Sequence, residues 1–366
     1  MIIKSSSVSV GFFLLLGLSN FSLADDNLPV DPKQNSEQQK LPPLGEQSKT
    51  FRFDFTNDLV FGSDNVFTDG WSAQWHSAST QNWDDVDSLF STVGTWGKYI
   101  PGLTKKGLHY RSAFSVGQYM QTPSTLTTPD LIPNDVPYAG ALIVSRTWYA
   151  FNDDEFRGFE ANFGVVGPAS LAEQSQEIVH KLTGSTKPEG WNNQLDNQAI
   201  INFGAMYKKK VFRTDPASDY QFDAAIDVNA VLGNLFTAAD LKLESRFGYN
   251  MPKGFTYTPS NIGRFMLYDA TLPRANPKHF SLYGSLQYIA TANAHTYFFD
   301  ADQVKDNYTI ESETFVEFVM LGVHYLYKNW GAHFTLVFTS DVLKKESTIS
   351  EDTNVNYGDI VIEYYY

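Results

Sequence analysis

The sequence predicts an all-β protein, a single transmembrane antiparallel β-barrel of about 12 strands with a short helix at one rim. Three observations support this fold class. Apolar and polar residues alternate with a period of two over long segments, aromatic residues make up 15% of the 366-residue chain, and charged residues make up only 19%, against roughly 25% in ordinary soluble domains. After residue 24 no run of 18 apolar residues occurs, so membrane-spanning helices are excluded.

The N-terminus has the pattern of an export signal. Lys4 precedes an apolar stretch over residues 8–18, and small residues stand at Ser22 and Ala24. This pattern predicts a signal peptide over residues 1–24, and the stretch is short for the alternative, a single membrane anchor. Residues 25–50 are rich in Pro, Gln, Lys and Asp and predict a disordered periplasmic arm, so the barrel is expected over residues 51–366.

Strand alternation begins at Phe51, where Phe51, Phe53 and Phe55 alternate with polar residues. Such alternation gives each strand one apolar face and one polar face. The predicted strands run about 10–18 residues, whereas soluble strands average about 5–6 and a tilted membrane strand needs about 9–11. These lengths favour an outer-membrane barrel over the alternatives, a secreted β-sandwich or a lipocalin-like barrel. The aromatic last residue, Tyr366, resembles the end of many outer-membrane strands.

Twelve strands are predicted, and the even number suits a bacterial barrel with both termini in the periplasm. In this topology every odd-to-even connection faces the cell exterior. The predicted strands cover approximately residues 51–61, 66–79, 108–121, 137–151, 156–166, 198–213, 219–233, 236–250, 278–295, 312–328, 330–343 and 356–366.

A helix is predicted in the exterior connection between the fifth and sixth strands, over residues 168–184. Leu171, Ile178, Val179 and Leu182 fall near one face, and Gly184 is suited to end the helix. The basic run 208–210 ends the sixth strand, where a solvated strand end is expected.

Composition excludes several function classes. There are 27 Lys and Arg residues against 41 Asp and Glu residues, a net charge of −14, which argues against a nucleic-acid partner. The absence of cysteine excludes disulfides, Cys-ligated zinc and thiol catalysis. No Gly-x-Ser-x-Gly elbow occurs, so activated water is a candidate nucleophile. Among the seven histidines, His180 alone lies on the predicted rim helix.

Five segments in order resemble one known family, the outer-membrane lipid A 3′-O-deacylases. They are Asn-Asp at 57–58, Phe-Thr-Asp-Gly at 67–70, Pro-Tyr-Ala-Gly at 137–140, the long block 164–195 with its Gln-x-x-x-His and Gly-Trp elements, and Gly-Asn-Leu-Phe at 233–236. The resemblance extends over about residues 51–366. It implies a twelve-stranded outer-membrane barrel that hydrolyses the ester-linked 3′-acyloxyacyl group of lipid A in the outer leaflet.

The resemblance also implies roles for individual residues. Four match the family's catalytic positions: His180 as general base, Asp58 as its orienting partner, and Asn57 and Thr68 as stabilisers of the oxyanion. Four others are weaker candidates for substrate binding, namely Thr128, Tyr138, Thr186 and Trp191. Thr186 stands where the family has an acidic residue, and Thr128 stands near the place of a family lysine. Ca²⁺ is the implied cofactor, with ligands that the sequence does not identify.

The resemblance further implies a monomer in the Gram-negative outer membrane, with lipid A or lipopolysaccharide as partner and the active site at the exterior rim. Two other functions stay open on the sequence. One is a family member with altered or lost catalysis that acts as a structural barrel, an alternative that Thr186 favours. The other is a small porin, although porins usually have about 16–18 strands.

Overall fold

Within the described residues, 12 antiparallel strands close into one barrel. The computed structural model describes residues 49–57, 69–215, 217–255, 270–274, 279–350 and 353–366. The barrel strands are β1 (Thr50–Asn57), β2 (Asp69–His76), β3 (His109–Gln121), β4 (Ala139–Phe151), β5 (Glu155–Val166), β6 (Gln198–Arg213), β7 (Tyr220–Gly233), β8 (Phe236–Tyr249), β11 (Ser281–Thr296), β12 (Phe315–Tyr327), β13 (Trp330–Thr339) and β14 (Tyr357–Tyr365). The predicted barrel of 12 strands is confirmed. The predicted signal peptide and nearly all of the predicted arm lie outside the described residues.

Two short strands, β9 (Pro252–Phe255) and β10 (Ala270–Arg274), form a separate hairpin between β8 and β11. The sequence did not predict them, because strands of four and five residues are too short to display alternation. The helices are α1 (Ser91–Gly94), α2 (Ala172–Thr183), α3 (Tyr297–Asp300) and α4 (Asp302–Asn307). No helix of the described part is both long and apolar enough to cross a membrane.

The barrel closes where β1 pairs with β14, from Thr50 opposite Tyr365 to Asn57 opposite Gly358. Both ends of the described chain therefore lie at one rim, here called the terminal rim. The connections β1–β2, β3–β4, β5–β6, β7–β8, β11–β12 and β13–β14 lie at the opposite rim, here called the loop rim.

Alternation sorts the side chains between the barrel lumen and the outer wall. On β1, Arg52 is fully buried and Asp54 is 4% exposed, whereas Phe53 between them is 42% exposed. Pairing carries this pattern around the barrel, since Arg52 lies opposite Gln74 and Glu363, both buried. The outer wall is apolar and exposed, as a surface in contact with lipid requires.

Ion pairs fill the lumen in the half toward the terminal rim. Arg52 pairs with Glu363, whose carboxylate also lies 3.1 Å from His333 Nε2. Lys208 Nζ lies 2.7 Å from Glu244, and Lys210 Nζ lies 2.9 Å from Asp223. The expectation that the basic run 208–210 is a solvated strand end is wrong for Lys208 and Lys210, because alternation turns both side chains inward to acidic partners on β7 and β8.

Apolar residues close both mouths of the lumen. At the loop rim, Phe298 and Val304 of α3 and α4 join Ile310 in a buried cluster with inward-facing strand residues such as Met320. At the terminal rim, Phe255 of β9 is fully buried, with Lys210 Nζ 5.2 Å from its ring centroid. The lumen is thus a packed core along the part of the chain that the structure describes.

Candidate active site

Helix α2 lies against the outer wall of the barrel beside the loop rim. Gly140 of β4 faces outward, because its neighbours Ala139 and Ala141 face the lumen core. A Cβ at Gly140 would lie 2.1 Å from Ala172 Cβ, so the helix start sits directly on the glycine. Gln118 of β3, also outward, donates from Nε2 to the carbonyl oxygen of Ser170 at 2.6 Å. The helix therefore covers the wall from outside and leaves the lumen mouth to α3 and α4.

The buried face of α2 is not the apolar face seen in the sequence. Ala172, Gln176 and His180, spaced four residues apart, are buried, whereas Leu171 is 55% and Ile178 is 61% exposed. Beside a barrel wall the helix can turn apolar residues toward the bilayer and polar ones toward protein.

The helix end positions the imidazole of His180. Gly184 ends α2 in the left-handed conformation, with φ of 75°, as predicted. The turn brings Thr186 back, and its carbonyl oxygen lies 2.5 Å from His180 Nδ1. A carbonyl oxygen can only accept, so Nδ1 carries a proton, and Nε2 is the nitrogen that can act as a base. His180 is only 8% exposed.

Trp191 and Tyr138 form a buried support beneath the helix. Trp191 Nε1 donates to Gln176 Oε1 at 2.7 Å, and its ring lies 5.0 Å from that of Tyr138. Burial raises the pKa of Tyr138 to about 12, so the phenol keeps its proton. Both side chains are under 5% exposed, so the structure places them as packing residues, and substrate contact by them stays a prediction.

Thr128 lies beside this support. Its carbonyl oxygen would be 3.1 Å from a Cβ at Gly190, and its Oγ1 accepts a hydrogen bond from the backbone N–H of Asp130 at 3.3 Å. Its part in substrate binding stays a prediction.

A row of outward-facing residues links β1 to α2. Asn57 lies opposite Asp69, Asp69 opposite Met120, and Met120 opposite Gly140, where the helix sits. Asn57 is 8% and Asp69 3% exposed, although Phe53 on the same outer face of β1 is 42% exposed. The outer face of β1 and β2 is therefore shielded at the loop rim, where Asn57 pairs with Asp69.

The other two predicted catalytic residues, Asp58 and Thr68, lie outside the described residues. The sequence reasoning missed Asp69 as a candidate. An available signal was its position, since alternation places this carboxylate on the lipid-facing side of β2, where a charge is costly unless it is covered.

The described residues alone do not fit a calcium ion. Ca²⁺ takes about 6–8 oxygen ligands, and the row offers one carboxylate, Asp69, with the amide oxygen of Asn57. No group of three or more His, Cys, Asp or Glu residues suited to a metal occurs in the described part of the chain. The Ca²⁺ cofactor stays a prediction.

These features define a class: an outer-membrane β-barrel with a histidine-bearing helix held on the outside of its wall. A family model described as "Outer membrane protein LpxR" matches residues 12–366. Because this match covers almost the whole chain, the protein belongs to the LpxR family. The resemblance seen in the sequence is thereby confirmed, and the protein is an outer-membrane barrel.

Solved structures agree on the fold. LpxR from Salmonella typhimurium superposes with a TM-score of 0.66 at 13% identity, over 87% of this chain and 100% of that one. At this identity the likeness shows the fold alone. The β domain of the Bordetella autotransporter BrkA reaches a TM-score of 0.39 at 8% identity, over 87% of this chain and 97% of that one, which is too low to support an argument. No curated protein matches the chain.

Proposed function

We propose that this protein is a lipid A deacylase that hydrolyses the ester of the 3′-acyloxyacyl group in the outer leaflet of the outer membrane. Membership of the LpxR family supports the broader class, an outer-membrane lipid A deacylase. The observation that carries the proposal is His180 of α2, which is buried and holds a proton on Nδ1 toward the Thr186 carbonyl.

The position of the helix suits a lipid substrate. We place the terminal rim, where β1 begins and β14 ends, in the periplasm, as in bacterial barrels. The loop rim and α2 then lie at the outer leaflet. A site on the outer wall is reached sideways from the bilayer, so an acyl chain need not enter the lumen. The exposed Leu171 and Ile178 give the helix an apolar edge toward that leaflet.

The spacing of the strands and the length of α2 support a site shared by His180, Asn57 and Asp69. Four neighbouring strands place Asn57 about 14 Å from Gly140, at about 4.8 Å per strand. From Ala172 to His180 the helix rises about 12 Å. Because α2 packs on both β4 and β3, a helix that crosses the strands from Gly140 toward β1 carries His180 to Asn57 and Asp69.

The chemistry follows from the tautomer. His180 Nε2 takes a proton from water, and the water oxygen bonds to the ester carbonyl carbon. The bond from that carbon to the sugar 3′ oxygen then breaks, and the proton passes from His180 to the departing oxygen. The products are a free acyloxyacyl acid and a 3′ hydroxyl.

Two further groups have proposed roles. The Asn57 amide N–H is our candidate donor to the oxyanion, where one such donor contributes about 2.7–4 kcal/mol. The Thr186 carbonyl orients the imidazole at Nδ1. The resemblance gives an orienting role to Asp58 as well, which lies outside the described residues.

The test is mass spectrometry of lipid A from Gram-negative cells that express the protein, with and without Ca²⁺. We expect loss of the mass of one acyloxyacyl group from the 3′ position, which His180→Ala abolishes. His295→Ala is the matched control, because His295 also lies near the loop rim but is bound to Asp300; it should retain activity. Unchanged lipid A with a folded barrel would refute the deacylase and favour a structural barrel. Loss of a secondary acyl chain alone would refute the 3′ assignment.

A further inference from the structure

The connection between β2 and β3, residues 77–108 and here called the strap, folds back over the outer wall of the barrel. Trp148 of β4 faces outward and donates from Nε1 to the carbonyl oxygen of Val93 at 2.9 Å. Trp83 stacks on Tyr110 of β3 with ring centroids 4.9 Å apart. With Val86 and others these rings form a buried apolar cluster on the outside of β3, β4 and β5. The strap thus occupies wall surface that lipid would otherwise cover.

A buried arginine shows how closely the strap packs on the outer wall of β4. Arg146 faces outward from β4, yet it is only 7% exposed. Its guanidinium donates to the Leu89 carbonyl and to Ser88 Oγ, both at 2.6 Å. A Cβ at Gly94 would lie 2.2 Å from Ser88 Oγ and 2.6 Å from Arg146 Nη2, so a larger residue there would displace this hydrogen-bonded pair. A bare arginine on a lipid-facing wall is unfavourable, and the strap covers this one.

The strap reaches into the hydrocarbon layer. Phe90 packs on Phe114, with ring centroids 5.3 Å apart. Phe114 lies five residues from His109, the end of β3 at the terminal rim, so it stands about 16 Å along the strand. With a strand tilt of about 40° this is roughly 12–13 Å along the barrel axis. The hydrocarbon of one leaflet is about 15 Å thick, so Phe90 lies at the depth of acyl chains.

At this level the strap exposes large apolar side chains beside the small polar Ser91 and Thr92. Leu89 is 46%, Phe90 63% and Trp96 51% exposed. Tyr99 is 74% exposed beside Lys98, whose Nζ lies 2.6 Å from Asp84. Tryptophan and tyrosine beside charged groups are typical of a membrane interface.

We propose that the strap is a membrane-inserted element that binds phospholipids of the periplasmic leaflet. Leu89, Phe90 and Trp96 contact acyl chains, while Tyr99 and Lys98 lie at the headgroups. Lipid is the occupant because the exposed patch is continuous with the lipid-facing wall of β3, through the Phe90–Phe114 contact. The proposal stands independently of the deacylase activity.

The test uses the absence of cysteine in the chain, which allows single labelling sites. Phe90→Cys and Trp96→Cys carry a bimane label in the full-length protein, reconstituted in phosphatidylethanolamine and phosphatidylglycerol vesicles. Asp85→Cys is the aqueous control on the same strap, and Phe203→Cys, 42% exposed on the wall of β6, is the lipid control. The difference in SDS-gel mobility between unheated and heated samples verifies that each barrel is folded. Leu89→Cys replaces any variant that does not fold.

We expect spin-labelled lipid to quench positions 90 and 96 as it quenches position 203, at least threefold more than position 85. Aqueous iodide should give the reverse order. Iodide quenching of positions 90 and 96 equal to that of position 85 would overturn the proposal, because the patch would then face water. Efficient disulfide formation between two chains through Phe90→Cys, with protection from both quenchers, would also overturn it and assign the patch to a second copy.

Discussion

Replacing Gly140 by alanine should lift helix α2 off the barrel wall. The new Cβ would meet Ala172 Cβ at 2.1 Å, about 1.3 Å short of the 3.4 Å at which ordinary contact begins. The start of the helix must therefore move outward by about that amount, because the wall beneath it is held by the pairing of β4 with β3 and β5. His180, two turns along the helix, moves with it.

Activity should respond far more than stability. A displacement of about 1 Å at a reacting group can lower a rate about 100-fold, so we expect deacylation by Gly140→Ala to fall by roughly two orders of magnitude. Gly140 is near the end of β4 and outside the lumen core, so the urea midpoint of the barrel should stay unchanged. The assay is the initial rate of fatty-acid release from lipid A in detergent micelles, beside urea unfolding followed by tryptophan fluorescence.

Two variants test the steric explanation. Gly284→Ala is the control, since its Cβ would meet the nearest atom, the Gly322 carbonyl oxygen, at an ordinary 3.6 Å. The double variant Gly140→Ala with Ala172→Gly removes the closest contact, and the second one, with Ser170 Oγ at 2.6 Å, is relieved by rotation of that hydroxyl. It should recover most of the activity, at a cost of about 1 kcal/mol in helix propensity. Full activity of Gly140→Ala, or no recovery in the double variant, would refute the packing of α2 on Gly140 as the device that positions His180.

Three other outcomes are expected. Thr186→Val should keep kcat/KM within about threefold, because the backbone carbonyl holds His180; a loss of 100-fold would assign the role to the hydroxyl. Glu363→Gln should lower the free energy of unfolding by about 3–5 kcal/mol in urea titrations, since it leaves Arg52 buried without its anionic partner; an unchanged midpoint would contradict this. In planar bilayers the protein should show no steady conductance, because Phe298 and Phe255 lie in the packed mouths of the lumen; regular large steps would revive the porin alternative.

The fold and one candidate site residue could be predicted from the sequence for physical reasons. A membrane strand must alternate, so Phe51, Phe53 and Phe55 identify β1, and the same rule locates the other long strands. The helix after β5 and its end at Gly184 follow from local rules that act within one turn. His180 then stood out as the histidine on that helix, and the structure shows it buried.

The missed features all depend on what covers the outer wall. Alternation places Asp69, Arg146 and Gln118 on the outer face of the barrel, which the sequence pattern predicts to contact lipid. The structure covers Gln118 with the segment that leads into α2, and Arg146 with the strap. Residue contacts of this kind join segments distant in the chain, and no local pattern encodes them.

The sequence by itself determined the class of the molecule, a β-barrel, through its alternating strands, its aromatic composition and its low content of charged residues. The sequence also showed the family resemblance, because several short motifs occur in the same order as in the family. Only the tertiary structure decided on which side of the wall α2 lies, that Ala172, Gln176 and His180 form its buried face, and that a backbone carbonyl of Thr186 fixes the imidazole. The reason is that a helix beside a membrane barrel can bury either face, and the choice depends on the wall residues, such as Gly140, that leave room for it.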